Sequence, residues 1–247
     1  ISTMPKHKSA EKMRANIRSR YKKLKENIEK ERQQKKGGYS ISIKKESAAQ
    51  IALVGTTQSG KSVLLNKLTN ANAAASKFPY TTTKPEIGTL DYHGVKLQIV
   101  EIPAIRKNFP ETENGTAFLS IIRQADLIVL FFRDDKEKNL VGRELENAGI
   151  SAKKIIYSGQ ESIADEIWKN LNLIKIYTKH PGRKPDAEPL VLKKGSTIRD
   201  MAEHVHKDFV KRFKFARVSG KSVKFNSIKV GINHILEDDD VVELHMS

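Results

Sequence analysis

The sequence predicts an α/β protein: a doubly wound, mostly parallel sheet followed by a smaller α+β module. Residues 46–172 alternate short apolar runs with amphipathic segments, as expected when helices connect the strands of one sheet. From residue 173 onward, short strand-like runs surround one helical segment, which is typical of an α+β module. We therefore expect three parts: a basic helical segment with a linker at 1–45, the α/β domain at 46–172 and the α+β module at 173–247.

The N-terminal part is predicted to form a long basic helix. Residues 9–36 contain no glycine or proline, and apolar residues recur there at steps of three or four. Lysine and arginine crowd the other faces, and we expect Arg14, Arg18, Lys22 and Lys25 to contact RNA. A helix that packs on its own domain through the apolar stripe and is otherwise solvated is an equally open interpretation. The chain begins with isoleucine, so we expect that further residues precede it.

The α/β domain opens with a phosphate-binding loop. Residues 55–62 read GTTQSGKS and fit the pattern G-x-x-x-x-G-K-[ST] between an apolar run and a helical segment; the alternative is a glycine-bearing turn between two core elements. Gly55 and Gly60 are expected to adopt backbone angles closed to other residues, so that the loop amides wrap a phosphate chain. Lys61 would then reach the β- and γ-phosphates, and Ser62 would bind Mg²⁺. The residues expected to contact nucleotide here are Gly55, Thr57, Gln58, Ser59, Gly60, Lys61, Ser62 and Val63.

A switch segment is predicted between this loop and the next strand. Residues 78–85 read FPYTTTKP, and the two prolines prevent a continuous helix there. The position of this hydroxyl-rich segment makes Thr82 the candidate that meets the metal and the γ-phosphate. Three threonines on their own are a weak pattern, and the prediction depends on the loop before them.

A β-hairpin follows, and its second strand leads to further candidate site residues. Two segments of alternating polarity flank His93-Gly94, which predicts a tight turn and makes His93 a turn residue rather than a ligand. The second strand runs into the sequence EIPA, residues 101–104. Glu101 is expected in the outer shell of the metal, and Ala104 is expected to offer its amide to the γ-phosphate.

The remaining segments complete the α/β domain. Helices are predicted at 114–124, 138–147 and 162–171, and strands at 126–132 and 154–158. The helix after the phosphate loop is expected to extend to residue 70. Trp168, the only tryptophan, is expected in the core.

The α+β module is predicted to contain short strands around one helix, at 174–178, 190–192, 213–218, 229–230 and 241–244. The helix is expected to begin with Ser196 or Thr197 as its cap and to run through His206. His204 and His206 lie two residues apart on it and face different directions, so a metal site is not expected. The basic residues are spread over several elements, which favours contact with a folded RNA or a ribosomal surface. The candidates are Lys193, Lys194, Arg212 and Lys214.

The charge distribution indicates a polyanionic partner. The chain carries a formal net charge of +16, of which residues 1–45 contribute +11, residues 46–172 contribute 0 and residues 173–247 contribute +5. A neutral centre with basic ends suggests a nucleotide-handling core whose extensions contact RNA or the ribosome, and DNA is not expected. The absence of cysteine excludes disulfides, thiolate zinc sites and a thiol nucleophile. Because no apolar run approaches ~18 residues, we expect no membrane contact and a cytoplasmic protein.

Three stretches resemble developmentally regulated GTP-binding proteins, a branch of the Obg-related GTPases with a C-terminal TGS domain. They are the basic segment KHKSAEKMRANIRSRYKKLKE, the switch region FPYTTTKPEIGTLDYHGVKLQIVEIPAI and the tail from LNLIKIYTKHPGRKPDAEPL to VGINHILEDDDVVEL. The resemblance implies a P-loop GTPase domain with a β-grasp tail, GTP or GDP as the ligand and Mg²⁺ as the cofactor. It also implies a translation-associated factor that contacts ribosomes or RNA and a small regulatory partner protein.

The chain departs from that family at positions that matter for function. The second switch reads EIPA where the family has DLPG, and Gln58 stands where potassium-dependent relatives carry asparagine or a small polar residue. No guanine-reading [NT]-K-x-D motif follows the phosphate loop, and ELENAGI passes almost at once into KKIIYSG, which resembles the last strand and its Ser-Gly loop. A strand, the guanine motif and an inserted domain are therefore expected to be missing. Only Ser158 and Gly159 would remain near the base, so selectivity for GTP should be poor.

Two main functional hypotheses follow. The first is a GTP-binding, translation-associated factor that binds RNA or the ribosome and has weak or partner-dependent hydrolysis. No general base is visible, because Ile105 stands where Ras-type enzymes have a water-orienting glutamine. The alternative is a pseudo-GTPase that serves as a non-catalytic RNA- or ribosome-binding adaptor. A kinase that uses ATP is a weaker third interpretation, because no site for a second substrate is evident.

Overall fold

The computed structural model describes residues 43–69, 84–159 and 161–246, and the long helix predicted at 9–36 lies outside these ranges. Two five-stranded sheets make up the described chain. No described helix is both long enough and apolar enough to cross a bilayer. The expected boundaries at residues 45/46 and 172/173 remain predictions.

The first sheet has the strand order β2-β3-β1-β4-β5. Its strands are β1 (Ala49–Gly55), β2 (Glu86–Tyr92), β3 (Val95–Glu101), β4 (Leu127–Phe131) and β5 (Lys154–Ile156). Strand β1 lies parallel to both β3 and β4, β5 lies parallel to β4, and only β2 is antiparallel. All seven residues of β1 are buried, as expected for a central strand covered on both faces.

Helices cover both faces of this sheet. They are α1 (Lys61–Leu68), α2 (Gly115–Gln124), α3 (Asp135–Asn147) and α4 (Ile163–Asn170), with a 3₁₀ turn at Phe109–Glu111. Leu64 of α1 and Ile167 of α4 belong to one core cluster with alternate residues of β1. The buried residues of α2 and α3, including Ile122 and Leu145, are not part of that cluster, so the two pairs of helices pack on opposite faces. The predicted doubly wound α/β class is confirmed.

Strand β5 pairs directly with β4. Val129 lies opposite Ile155 in this parallel pair, and no described strand lies between the two. The chain reaches β5 through α3 and a short connection after Asn147. This arrangement agrees with the expected absence of a strand between ELENAGI and KKIIYSG.

Several helix boundaries differ from the predicted ones. Helix α1 ends at Leu68 rather than near residue 70, because Thr69 is extended, with φ −134° and ψ 170°. Helix α3 begins at Asp135 rather than near residue 138, because the Asp134 side chain accepts a hydrogen bond from the Glu137 amide at 2.8 Å and caps the first turn. The predicted hairpin turn is confirmed: His93 and Gly94 both have positive φ, of 50° and 86°.

The second sheet has the order β7-β6-β10-β8-β9. Its strands are β6 (Leu173–Lys179), β7 (Leu190–Lys193), β8 (Phe213–Ser219), β9 (Ile228–Val230) and β10 (Val241–Met246), and two helices, α5 (Ile198–Val205) and α6 (Lys207–Arg212), complete the module. Helix α5 packs on one face of the sheet through Ile198 and Met201. Thr197 caps α5 through a capping box with Asp200, and it is one of the two residues predicted as the cap. The prediction of one helix through His206 is wrong: His206 is extended, and it caps the separate helix α6.

Trp168 lies where the two sheets meet. Its ring is 6% exposed and stacks on Tyr92 of β2, with ring centroids 5.2 Å apart, so the predicted core position is confirmed. Leu173 and Val191 of the second sheet pack against the same core. Lys175 of β6 places its ammonium 5.6 Å from the Trp168 ring centroid. These contacts join the α+β module to the α/β domain.

Candidate nucleotide-binding site

Gly55 ends β1 at the point where the chain turns into the phosphate loop. It lies opposite Phe131 in the parallel pair of β1 and β4. A Cβ on Gly55 would lie 2.3 Å from the carbonyl oxygen of Phe131 and 2.7 Å from its Cβ, which are overlapping distances. The predicted reason for this glycine is therefore wrong. Its φ is not in the left-handed region, and the close approach of β4 is what requires glycine here.

Gly60 supplies the left-handed backbone that the loop needs before α1. Its φ is 97° and its ψ is 6°, a conformation that side chains other than glycine strain to adopt. A Cβ there would meet nothing within 4 Å, so conformation rather than space requires glycine at this position. Because Gly60 has no side chain to cap α1, the first amides of this helix remain available to an anion.

Lys61 is the first residue of α1, and its ammonium turns back over the loop. It donates to the carbonyl oxygen of Thr56 at 2.7 Å and lies 3.5 Å from that of Gly55. The residue is only 5% exposed. Burial lowers the pKa of Lys61 to about 8, while the nearby carboxylates of Glu101 and Glu137 oppose the shift. Its hydrogen bonds within the described part of the chain go to carbonyl oxygens alone, and a buried ammonium held in this way is suited to exchange one of them for a phosphate oxygen.

Ser62 and Glu101 form a direct contact between α1 and the end of β3. The Ser62 hydroxyl donates to Glu101 Oε1 at 2.7 Å. Glu101 is 2% exposed, and its other oxygen, Oε2, has no hydrogen-bond partner among the described residues. Burial raises the pKa of Glu101, although the hydrogen bond from Ser62 and the charge of Lys61 act in the other direction.

This pair fits a divalent cation that also contacts phosphate. The unpartnered, buried Glu101 oxygen is the kind of hard ligand that Mg²⁺ prefers, and Ser62 donates its only hydrogen to Glu101, which leaves lone pairs on its own oxygen. Within the described ranges, no group of three or more His, Cys, Asp or Glu side chains could hold a metal ion by itself. Other ligands, such as phosphate oxygens and water, would therefore have to complete the coordination.

The segment after β3 is held against the phosphate loop. The Ile105 amide donates to the carbonyl oxygen of Gly55 at 2.9 Å, and Ile102 continues the pairing with Leu53 at 3.0 Å. Ala104, expected to face the γ-phosphate, lies between these two anchors and is half-buried. Ile105 is 2% exposed, so the position expected for a water-orienting side chain is occupied by a core residue.

Sequence reasoning missed a network that supports the loop from α3. Thr56 is 6% exposed, and its hydroxyl donates to Glu137 Oε2 at 2.8 Å. Glu137 also accepts from the Arg133 amide at 2.8 Å and from Arg133 Nε at 3.0 Å. The hydrogen bond from the Arg133 side chain is the largest of the effects that lower the pKa of Glu137 to about 2. The spacing of Asp134 and Glu137 at the start of a helix was the only local signal, and it indicates a cap rather than a site.

The other residues predicted to contact the nucleotide line the loop or lie at its margins. Ser59 donates to the Thr56 carbonyl oxygen at 2.9 Å, which tightens the loop. Gln58 is exposed and has a positive φ of 54°, and Val63 is 61% exposed on α1. Thr57 is half-buried in the same turn. Contact of these residues with a nucleotide remains a prediction.

Ser158 and Gly159 follow β5 and are exposed. The Tyr157 amide before them donates to the Leu130 carbonyl oxygen at 2.9 Å, which continues the pairing with β4. Gly159 has a φ of 84°. The two residues thus begin a turn at the carboxyl edge of the sheet, on the strand next but one to β1.

Some predicted site residues lie outside the described ranges. Thr82 of the switch segment is one, and the basic candidates of the N-terminal segment are the others: Arg14, Arg18, Lys22 and Lys25. The C-terminal candidates are all exposed, but the structure separates them. Lys193 and Lys194 lie at the end of β7, whereas Arg212 and Lys214 lie at the junction of α6 and β8.

Family models match the two sheets separately. A model described as 50S ribosome-binding GTPase matches residues 50–159, and a TGS domain model matches residues 174–246. The phosphate loop lies in the first range, and the second sheet lies in the other. The chain thus combines a region that matches a GTPase family model with a region that matches the TGS domain model.

Curated relatives refine this assignment. An uncharacterized GTP-binding protein of Methanocaldococcus jannaschii is 28% identical over an alignment that covers 84% of this chain and 80% of the relative. The developmentally-regulated GTP-binding protein 2 homolog of Dictyostelium discoideum is 24% identical, with 85% and 86% covered. Ribosome-interacting GTPase 1 of Saccharomyces cerevisiae is also 24% identical, with 84% and 85% covered. The resemblance to developmentally regulated GTP-binding proteins is thus confirmed.

The relatives carry residues that this chain lacks. The alignment with the M. jannaschii protein spans 314 positions, which is more than the 247 residues of the whole chain.

Among solved structures, Aquifex aeolicus Era bound to GDP and AlF₄⁻ is 17% identical with a TM-score of 0.39, over 50% of this chain and 47% of that one. The YchF GTPase of Schizosaccharomyces pombe is 12% identical with a TM-score of 0.46, over 82% and 99%.

Proposed function

We propose that this protein binds GTP or GDP with Mg²⁺ at the phosphate loop and acts in translation through RNA or the ribosome, with weak or partner-dependent hydrolysis. The observation that carries the proposal is the arrangement of Lys61, Ser62 and Glu101 around the loop. It supplies a buried cation for phosphate, a hydroxyl for the metal and an unpartnered carboxylate oxygen beside it. A cytoplasmic location and a small regulatory partner protein belong to the same proposal.

Phosphate binding would use groups that are already oriented. Lys61 would move its ammonium from the Thr56 carbonyl to the phosphate chain, and the amides at the start of α1 would bind the same chain. The bound Mg²⁺ would neutralise phosphate charge, with Ser62 and Glu101 on the protein side. The exchange replaces a neutral carbonyl acceptor by a charged one, so it favours bound nucleotide.

Slow hydrolysis is expected from what surrounds the γ-phosphate position. Ile105 is buried and bonded to Gly55 through its amide, so it cannot orient water. A GTPase without a water-orienting side chain relies on electrostatic stabilisation or on a group supplied by a partner. Turnover should therefore rise when the physiological partner is added.

Support for a role in translation comes from the relatives and from charge. One relative is named ribosome-interacting GTPase 1, and the matching GTPase model is described as ribosome-binding. The basic ends of the chain provide the charge that such a partner requires. The two TGS candidates at the end of β7 and the two at the junction of α6 and β8 are exposed and accessible to RNA.

The direct test is calorimetric titration of the full chain with GTP, GDP and ATP, with and without Mg²⁺. Lys61→Ala should abolish Mg²⁺-dependent nucleotide binding, because the triphosphate charge is then left to backbone amides. Lys67→Ala, on the exposed side of the same helix, is the matched control and should bind normally. Equal affinity of Lys61→Ala and the parent chain would contradict the proposal.

The same titration measures selectivity for the base. We expect discrimination between GTP and ATP below ~100-fold, because no aspartate is available to accept hydrogen bonds from the guanine edge. Strong preference for GTP would show that another residue reads the base.

A pseudo-GTPase adaptor is the second candidate, and one observation favours it. The side chains of Lys61 and Ser62 already have hydrogen-bond partners within the fold, so these two side chains do not require a nucleotide. If the adaptor hypothesis holds, Lys61→Ala should leave ribosome co-sedimentation unchanged while the parent chain shows no nucleotide binding at all.

A further inference from the structure

The hairpin formed by β8 and β9, residues 213–230, concentrates the positive charge of the C-terminal module. It contains five Lys and Arg residues and no Asp or Glu. The remainder of 173–247 contains ten basic and ten acidic residues, so the whole excess of +5 lies in this hairpin. A charge so localised indicates a binding surface rather than general solubility.

The charges share a sheet face with aromatic rings. Ala216 and Val218 of β8 are buried against α5, so the alternating residues Phe215 and Arg217 lie on the opposite face. The strand register places Lys229 of β9 beside Arg217 on this face. Helix α5 leaves this face of β8 uncovered.

Phe215 is the centre of a stacked row across three strands. It lies opposite His245 of β10, and the two rings stack with centroids 4.3 Å apart and planes 14° from parallel. The Lys229 ammonium lies 4.4 Å from the Phe215 ring centroid. The row therefore combines a flat aromatic pair with a cation, which is the combination that binds a nucleobase together with its phosphate.

Most of the hairpin cations have no acidic partner. Only Lys221 pairs with a carboxylate, that of Asp239 at 3.1 Å. Among the described residues, no carboxylate lies within ion-pair distance of Lys214, Arg217, Lys224 or Lys229. Glu243 lies on the same face, but it is already paired with Lys179 at 3.1 Å and with His245 at 2.7 Å.

The loop at the end of the hairpin presents a second aromatic ring. Phe225 is 72% exposed and lies beside Lys224. The loop is anchored on both sides of it: the Ser222 amide donates to Asp240 at 3.2 Å, and the Ser227 amide donates to the Ser219 hydroxyl at 2.8 Å. The Phe225 ring therefore contributes little to the core, and its faces are accessible to a ligand.

We propose that the 213–230 hairpin binds single-stranded RNA, with unpaired bases stacked on Phe225 and Phe215 and with phosphates on the surrounding cations. This inference rests on the RNA-directed function proposed above and specifies its site. Rings can stack only on bases whose faces are open, so duplex RNA is excluded as the preferred ligand. Lys229 must leave the Phe215 ring when a base arrives; an exposed cation–aromatic contact is weaker than base stacking, and the released ammonium can bind the neighbouring phosphate.

The affinity test uses the full chain, a labelled single-stranded oligoribonucleotide and the corresponding RNA duplex, followed by fluorescence anisotropy. Phe225→Ala should weaken single-strand binding by about tenfold and leave duplex binding nearly unchanged. Phe215→Leu should act in the same direction, whereas Phe225→Trp should retain the affinity. The control is Ile235→Ala, which removes another exposed apolar side chain of the module, 59% exposed, outside the hairpin. Unchanged single-strand affinity in both phenylalanine variants, or equal losses for single strand and duplex, would overturn the inference.

A second readout reports stacking itself and does not depend on other RNA contacts of the chain. The only native tryptophan, Trp168, is buried and outside the hairpin, so the emission of the exposed tryptophan in Phe225→Trp can be obtained as the difference from the parent chain. Its emission should be quenched when single-stranded RNA binds and should change little with duplex. Bound RNA without quenching would refute the hairpin site and leave the general RNA function standing, while absence of RNA and ribosome binding in the parent chain would refute both.

Discussion

The hydrogen bond from Thr56 to Glu137 makes the phosphate loop dependent on α3, and Thr56→Val tests this dependence. Valine keeps the volume of the buried side chain but removes the hydroxyl, so the change isolates the 2.8 Å contact. A hydrogen bond to a charged group contributes ~1.5–3 kcal/mol, and Glu137 retains its bonds from Arg133, so we expect the free energy of unfolding to fall by about 1–2 kcal/mol. Thr56→Ser keeps the donor and is the control.

The assay is urea denaturation followed through the fluorescence of Trp168. A double-mutant cycle with Glu137→Gln separates the contact from the side effects of each substitution, and a coupling energy of about 1 kcal/mol is expected. The carbonyl oxygen of Thr56 also accepts hydrogen bonds from Lys61 and Ser59. Because the contact with Glu137 holds this carbonyl in place, nucleotide affinity should fall several-fold in the same variant. If the two substitutions are additive within ~0.3 kcal/mol, the network does not support the loop and the reasoning is wrong.

Three further outcomes are expected. Gly55→Ala should destabilise the protein by about 3 kcal/mol, because its Cβ would overlap backbone atoms of β4, whereas Gly142→Ala in α3, which meets nothing within 4 Å, should be neutral or slightly stabilising in the same thermal melts. Because the pKa of Glu137 falls from 4.5 to about 2 on folding, its contribution is present above pH 4.5 and is lost as the pH falls toward 2; Glu137→Gln should flatten the stability profile in that window, and an unchanged profile would count against the network. Removal of residues 1–38, which carry 13 Lys and Arg, should weaken ribosome co-sedimentation and make it less sensitive to salt. If six or more phosphate contacts form, the affinity of the parent chain should fall by ~10³-fold or more between 50 and 200 mM salt. Salt-independent association would exclude such contacts.

Local sequence patterns were sufficient for the parts of the fold that depend on neighbours in the chain. The G-x-x-x-x-G-K-[ST] pattern located the end of β1 and the start of α1, and the positive φ of Gly60 follows from it. The cap of α5 was narrowed to Ser196 or Thr197 from the sequence, and the structure shows that it is Thr197, whose capping box is completed by Asp200. The His93-Gly94 turn could also be predicted from the residues that directly flank it.

Features that depend on distant residues were not predictable in this way. Thr56 and Glu137 are separated by 81 positions, and no local pattern connects them. The role of Gly55 became clear only when β4 was found to lie against it. Phe225 differs from core phenylalanines only in its exposure, which depends on how the β8–β9 loop is anchored. Glu101 was placed near the metal position from the sequence, but its direct contact with Ser62 required the structure.

Because β5 pairs directly with β4, the pairing of strands in this sheet does not depend on which side chains its edge presents to a ligand. Three residues of β4, from Ile128 to Leu130, pair with β5 in the place that an intervening strand would have taken, so the sheet continues without a gap at this point. What disappears with a strand is the set of side chains that its carboxyl end would bring to the ligand. A fold of this kind can therefore lose recognition of a particular base in one step and still retain its phosphate loop, its core and its docking surfaces.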